Sequence, residues 1–358
     1  MEIEKRILKW FKTHSRELPW RTTKDPYFVW LSEVILQQTR VKQGIDYYQL
    51  FVKEFPDVCK LANATEDQVM KLWQGLGYYS RARNLHFTAK EICYERKGLF
   101  PKTASELQKL KGIGPYTASA IASISFNEVN PAIDGNVYRF LSRLFDIDVS
   151  IDSNSGKKIF FEISKDLISA SNPGDYNQAM MEYGARICKP KKPLCEDCIF
   201  RINCISFQNG TILERPVRDL KKSLKERYFN FFIPIVKKNN KPYILIQKRK
   251  GKDVWKSLYQ FPMFERDCLL SQEQLHNEIN LLINKGNSSE MLFLDYFAEF
   301  SHKLTHQVLH CRFFAVEFNL NLNLAIADAI LVSSQNIYNY AVPKPVEKAL
   351  KLFLEREV

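Results

Sequence analysis

No stretch of 18 consecutive apolar residues occurs in this 358-residue chain, so no membrane-spanning helix is expected. The opening Met1-Glu-Ile-Glu-Lys-Arg6 is charged and lacks the apolar core of a secretory signal. No convincing internal repeat or low-complexity tract is seen either. Cysteine is sparse, eight in all, and Cys59, Cys93, Cys268 and Cys311 are scattered. In a chain this long that pattern argues against a disulfide scaffold, and these four read as buried free thiols in a cytoplasmic protein. Acid is short relative to base. Forty Asp and Glu face 52 Lys and Arg, a formal net charge of +12. The excess favours a polyanionic partner, nucleic acid first, although a merely basic soluble protein would show the same balance.

What is present supports two folded parts. The chain is 45% hydrophobic and 13% aromatic, enough for real cores, and its length suits two domains better than one. Residues 1–205 read as helical, with apolar residues recurring at three and four, as in Leu31, Val34 and Ile35. Thr103-Ala-Ser-Glu106 is a capping-box pattern. Residues 206–227 are polar and basic and read as a linker. From 228 to 358 the character changes. Tyr228–Val236 and Tyr243–Gln247 read as a hairpin, His310–Phe318 as another strand, and Val346–Glu355 as a helix.

The remaining four cysteines are concentrated. Cys188, Cys195, Cys198 and Cys204 follow the spacing C-x6-C-x2-C-x5-C. Zinc is one candidate, but zinc ribbons usually pair two C-x2-C knuckles and only one is present. The 6-2-5 spacing favours a cubane iron–sulfur cluster. Arg186, Lys189, Lys191, Lys192 and Arg201 surround the ligands, and they either meet phosphates or offset the cluster's charge. A second motif is Leu110-Lys-Gly-Ile-Gly-Pro-Tyr-Thr-Ala118. Gly112 and Gly114 permit a tight turn whose exposed backbone N–H groups, at a helix start, can hold a phosphate. Alone the pattern fits any helix–helix turn. Ile133-Asp-Gly-Asn-Val137, about twenty residues on, strengthens it.

Together the hairpin near 108–122, the Asp134 segment and the cysteine loop 188–204 resemble the helix-hairpin-helix DNA glycosylases of the endonuclease III superfamily. The resemblance implies a multidomain α and α+β protein, and makes the phosphate held at Gly112 and Gly114 one of the DNA backbone. An all-helical glycosylase core with an iron–sulfur loop and a [4Fe-4S] cluster would be followed by a smaller domain. In lyase members a lysine in the hairpin helix forms a Schiff base with the sugar. This chain has Tyr116 there, which implies a hydrolytic, monofunctional enzyme. Leu18-Pro-Trp-Arg21, Trp30-Leu-Ser-Glu-Val-Ile-Leu-Gln-Gln-Thr-Arg40 and Gly75-Leu-Gly-Tyr-Tyr-Ser-Arg-Ala-Arg83 resemble motifs of the MutY-type adenine glycosylases.

Breaking a purine–deoxyribose bond needs a protonated carboxyl to donate to the base and an ionised one to stabilise the cationic sugar. The resemblance assigns the first role to Glu33, whose apolar helix would raise its pKa. It assigns the second to Asp134, supported by Asn136 and Tyr116. Without it, Glu33 could be a solvated helix carboxylate and Asp134 a turn or N-cap. It also implies that Leu18, Trp20, Arg21 and Glu182 line a pocket for a flipped adenine. Gln38 and Tyr78 would act as wedges, with Trp30, Thr39 and Leu76 as further substrate contacts.

Residues 228–358 resemble the Nudix-like α/β domain appended to these enzymes, with Ser257-Leu-Tyr-Gln-Phe-Pro262 matching the loop before its helix. Where a hydrolysing Nudix domain carries a Glu-rich metal box, this chain has Ser271-Gln-Glu-Gln-Leu-His-Asn-Glu278, so no pyrophosphohydrolase activity is expected. Phe300-Ser301-His302 resembles the loop that reads 8-oxoguanine, both Ser301 and His302 offering hydrogen bonds. His306 and His310 follow at four-residue spacing but in a strand-like stretch, so structural roles are expected rather than a metal site. The expected protein is a monomer acting at the nucleoid on double-stranded DNA that carries adenine opposite 8-oxoguanine or G. The alternatives are a thymine or uracil mismatch glycosylase, a non-catalytic lesion-binding module, and an iron–sulfur electron-transfer protein.

Overall fold

The computed structural model describes residues 2–219, 223–239, 241–283, 291–319, 326 and 328–356. Lys221 and Lys222 of the expected linker, and Asn240 of the expected hairpin turn, lie outside the described residues. The first helices are α1 (Glu2–His14), α2 (Pro26–Leu36), α3 (Val41–Glu54), α4 (Val58–Asn63), α5 (Glu66–Leu72) and α6 (Ser80–Lys90). There follow α7 (Ala104–Leu107), α8 (Pro115–Phe126), α9 (Gly135–Leu144), α10 (Asn154–Leu167), α11 (Pro173–Arg186) and α12 (Ile205–Asn209). Strands β1 (Lys225–Lys238), β2 (Lys241–Lys248), β3 (Tyr259–Gln260) and β4 (Met263–Arg266) come next. Helix α13 (Gln272–Ile283), β5 (Met291–Lys303), β6 (Gln307–Phe318), β7 (Ala329–Ser333) and α14 (Lys344–Arg356) complete the order.

The chain divides into two compact units. The first comprises Met1–Ala64 and Asn84–Lys221 and is helical. One of its cores joins Ile7 and Trp10 of α1 to Val137, Phe140 and Leu141 of α9, Phe160 of α10, and Tyr176, Met180 and Tyr183 of α11. Phe200 of the cysteine loop packs into the same cluster, with Cys188, Cys198 and Cys204 at its edge. Helix α8 starts at Gly114 with Pro115 in its first turn, where a missing N–H costs nothing. Gly112 before it has φ +81°, and a Cβ there would stand 2.6 Å from Asn84 Cβ, so the turn admits only glycine.

The second unit comprises Thr65–Arg83 and Lys222–Val358. The expected break at 205 to 228 therefore differs from the packing: 206–221 stays with the first unit and Thr65–Arg83 joins the second. Polar contacts explain the latter grouping. Lys248 meets Asp67, Tyr259 Oη donates to Asp67 Oδ2 at 3.0 Å, and Arg83 Nη1 donates to Lys256 O at 2.7 Å. The mixed sheet runs β3-β2-β1-β6-β5, with β4 on β1 and β7 on β2. Strands β1 and β6 are parallel, from Lys225 opposite Gln307 to Val236 opposite Phe318. β1 is buried without interruption from Phe229 to Val236, as expected of a strand covered on both faces. Leu275 and Ile279 of α13 pack with Phe232 and Phe314. On the other face Phe231 stacks on Phe313, and Phe353 of α14 meets Phe297.

Most expected elements form, including the β1–β2 hairpin, β6 and the closing helix. Thr103 does cap α7, its hydroxyl accepting from Glu106 N at 3.4 Å. The full reciprocal box occurs at Thr65 and Gln68 instead. The scattered cysteines need correction. Cys59 and Cys93 form a disulfide, because α4 and the turn after α6 pack together and bring Cα atoms 34 positions apart to 5.1 Å. Cys268 is exposed, and only Cys311 is a buried free thiol. The Phe300–His302 stretch is also not a loop: it lies in β5. No helix among the described residues is long and apolar enough to cross a membrane.

Candidate active site

A cleft of about 660 Å³ opens in the helical unit. Its lining includes Leu18, Trp20, Arg21, Glu33, Gln38, Thr39, Tyr116, Asp134, Asn136 and Glu182, ten of the sequence-predicted residues drawn from five separate stretches of chain. A cavity of this size suits a small ligand or a single nucleotide base.

Glu33 sits on α2, a helix apolar enough to be buried on nearly every side. The residue is only 9% exposed, so it is no solvated helix carboxylate. Burial pushes its pKa up to about 7; the Tyr116 hydroxyl restrains that rise, the charge of Asp134 adds to it, and Arg21 opposes it. Tyr116, in the first turn of α8, donates its hydroxyl to Glu33 Oε2 at 2.6 Å.

Asp134 is the N-cap of α9. Oδ1 accepts from the backbone N–H of Asn136 and Val137, both at 2.8 Å, and Oδ2 accepts from Asn136 Nδ2 at 2.6 Å. The capping role and the proposed catalytic role are therefore compatible, since a cap carboxylate at a helix N-terminus faces the positive end of the dipole. Burial still raises its pKa, with the three donors and Arg139 working against the rise.

Two supports carried no signal that the sequence reading used. Arg139, one turn after Asn136, donates to Cys188 O at 2.7 Å, Asn136 Oδ1 at 3.0 Å and Gly184 O. It thus ties the cysteine loop to the Asp134 partner. Gly184 on α11 lets that helix approach α9, because a Cβ there would stand 2.5 Å from Asn136 O. Glu182 is buried and held by Arg16 at 2.6 Å and Arg21 at 2.9 Å. Burial pushes its pKa up, but the two guanidiniums outweigh it and leave the carboxylate below its ordinary value.

Other predicted residues lie elsewhere. Trp30 does not reach the cleft; it points into the core at 1% exposure and meets Phe100 edge-on, because its side of α2 faces away from the cavity. Leu76, Tyr78 and His302 line a groove of about 840 Å³ in the second unit, with Trp255 and Thr305. Tyr78, at φ +46°, hydrogen-bonds Thr305. Gln38 also has a positive φ, +59°, and both are strained for side-chain-bearing residues, as at many functional sites. The His302 ring is 6.0 Å from that of Trp255, and burial followed by the Lys348 charge pulls its pKa down. Ser301 needs correction. Side chains alternate along a strand, so Ser301 and His302 face opposite sides of β5. Ser301 Oγ pairs instead with His310 Nδ1 at 3.2 Å, and His310 stacks on Tyr228. Phe300 packs on Phe313 and does not line the groove.

The four clustered cysteines are free and ring one apolar pocket with Phe140, Leu144 and Phe200. Arg143 Nη1 lies 3.4 Å from Cys188 Sγ and donates to Lys189 O at 2.7 Å. Among the described residues no His, Cys, Asp or Glu group is gathered tightly enough to hold a single metal ion. Four thiols ringing a pocket do fit a cubane, in which each takes a different iron.

The HhH-GPD superfamily of base excision DNA repair proteins matches residues 31–166, and the NUDIX domain matches residues 233–352. The adenine DNA glycosylase of Buchnera aphidicola subsp. Schizaphis graminum is 33% identical over 348 residues, covering 97% of each chain. That of Buchnera aphidicola subsp. Baizongia pistaciae is 35% identical over 305 residues, covering 85% of this chain and 83% of the relative. The Mus musculus adenine DNA glycosylase is 41% identical over 211 residues, 56% of this chain and 41% of that one. Among solved structures, a thermostable thymine-DNA glycosylase superposes with a TM-score of 0.54 at 25% identity, covering 58% of this chain and 95% of its own. On this cleft and these relatives, the chain belongs to the adenine DNA glycosylase family, a DNA glycosylase of base excision repair.

Proposed function

We propose that this protein hydrolyses the N-glycosidic bond of adenine paired with 8-oxoguanine, or with G, in double-stranded DNA and leaves an abasic site. The observation that carries the reading is the pair of buried carboxyls in one cleft, Glu33 poised near pH 7 and Asp134 capped by three donors. An adenine flipped into the cleft takes a proton from Glu33 as the bond to the sugar stretches. Asp134, held by Asn136, then faces the positive charge that develops on the sugar. Water completes the substitution, activated by the now ionised Glu33. Tyr116 holds Glu33 in place and, lacking an amine, forms no imine, so the enzyme does not cleave the strand.

Leu18, Trp20, Arg21 and Glu182, which line the cleft with Gln38 and Thr39, would hold the base, and Gln38 would act as a wedge. Cys188, Cys195, Cys198 and Cys204 would hold a [4Fe-4S] cluster, which would shape the basic loop for the DNA backbone. His302, with Tyr78 in the second groove, reads the base opposite adenine. Its lowered pKa keeps the ring neutral near pH 7, with one donor and one acceptor. The protein would act at the nucleoid.

The test uses duplexes carrying A opposite 8-oxoguanine, A opposite G, or T opposite G, followed by alkaline cleavage of abasic sites. Breaks at adenine, fastest opposite 8-oxoguanine, are expected. Breaks confined to the thymine duplex would refute the reading. Tight binding without breaks would make the protein a lesion-binding module.

A further inference from the structure

Four arginines line the catalytic cleft: Arg16, Arg21, Arg139 and Arg218. Three are committed within the protein. Arg16 and Arg21 hold Glu182, and Arg21 Nη1 also donates to Arg16 O at 2.9 Å. Arg139 is spent on Cys188 O, Gly184 O and Asn136 Oδ1. Arg218 is exposed, and among the described residues its side chain makes no hydrogen bond or ion pair.

Arg218 lies in the stretch that composition marks as linker, yet its backbone is fixed on both sides. Val217 O accepts from Ile151 N at 3.1 Å, and Asp219 N donates to Asp152 Oδ2 at 3.2 Å. Just upstream, Arg215 lies 2.9 Å from Asp146 Oδ1, and Arg215 O accepts from Arg143 Nε at 3.2 Å. The segment is thus tied to the helical unit and delivers one uncommitted guanidinium to the cleft.

We propose that Arg218 binds a backbone phosphate of the DNA strand entering the cleft, next to the nucleotide that is flipped between Glu33 and Asp134. It is a positioning residue for excision, and the assignment rests on reading the cleft as the adenine site. A guanidinium suits the task because two parallel N–H donors match the two free phosphate oxygens. Such contacts fix register along the strand and carry no sequence information. The cleft needs one, because its buried carboxyls offer nothing attractive to an incoming polyanion.

The experiment compares the full-length protein with Arg218→Ala and Arg218→Lys on a duplex with A opposite 8-oxoguanine. Two further duplexes replace the phosphate 5′ or 3′ of the target adenosine with a methylphosphonate. Arg218→Ala should weaken binding about tenfold and reduce the slope of log K against log salt by about one. Arg218→Lys should recover part of the affinity. On one methylphosphonate duplex wild type and Arg218→Ala should bind equally, since the partner is gone. Unchanged affinity and salt slope in Arg218→Ala would overturn the proposal. So would a tenfold penalty that persists on both methylphosphonate duplexes. Wild-type protein that leaves adenine in place would refute the adenine reading of the cleft, while the binding measurements would still report on Arg218.

Discussion

Replacing Glu33 by Gln should trade activity for stability, and the size of the trade follows from burial. Glutamine keeps the shape and still accepts a hydrogen bond from Tyr116, but it neither ionises nor donates as an acid. The folded-state pKa of Glu33 is raised from 4.5 to about 7. A raised pKa means that the folded chain holds the proton more tightly than the unfolded one. The stabilising proton is fully present below about 4.5, is lost as pH rises, and is gone above about 7. A shift of roughly 2.5 units at 1.36 kcal/mol each corresponds to about 3 kcal/mol of stability lost by wild type across that window. Glu33→Gln lacks this term. Asp134 is present in both proteins, so the difference between them isolates Glu33. The assay is denaturant unfolding at pH 5 and pH 8, paired with single-turnover excision and duplex binding. The expected result is a variant more stable than wild type at pH 8 by up to about 3 kcal/mol, relative to their difference at pH 5. Excision should fall by at least ~10²-fold, the usual worth of a general acid, while binding persists. Equal pH slopes of stability in the two proteins, or turnover retained by the variant, would refute the reasoning.

Tyr116→Phe removes the hydroxyl that restrains the Glu33 pKa, so the alkaline limb of the pH–rate profile should move to higher pH. Borohydride should trap a covalent DNA complex with neither protein, and high-yield trapping would contradict the hydrolytic mechanism. Gly184→Ala should push α11 off Asn136, lowering excision and costing ~1–3 kcal/mol of stability, as overpacking does; an unchanged melting temperature and rate would show that the contact relaxes freely. His302→Ala should reduce the preference for 8-oxoguanine over G opposite adenine, whereas Ser301→Ala should leave it within about twofold, because Ser301 faces away from the groove. The ratio of the two excision rates checks both.

Local chemistry explains which parts were legible. Gly112 and Tyr116 could be read because a turn at φ +81° admits only glycine and because an amine is either present or absent at one position. The strand of Tyr228–Val236 was legible from branched and aromatic residues, which suit a buried strand wherever it pairs. Trp30 was misplaced because an apolar helix buried on nearly all sides does not reveal which side faces a cavity. Cys59 and Cys93 were misread because their approach depends on how two helices pack. Ser301 was misread because a short motif does not show whether its backbone is extended, and an extended backbone sends neighbours to opposite faces.

The sequence by itself determined the family and named Glu33 and Asp134 as candidates, because both rest on residue type and spacing along the chain. The tertiary structure decided what those carboxyls can do. Burial on α2 lifts Glu33 toward neutrality, and the helix end at α9 surrounds Asp134 with donors. It also decided that Arg139 joins the cysteine loop to Asn136 and that Arg218 is left with donors to spare. Proton affinity and uncommitted hydrogen bonds depend on what lies nearby in space, and the order of residues along the chain does not contain that.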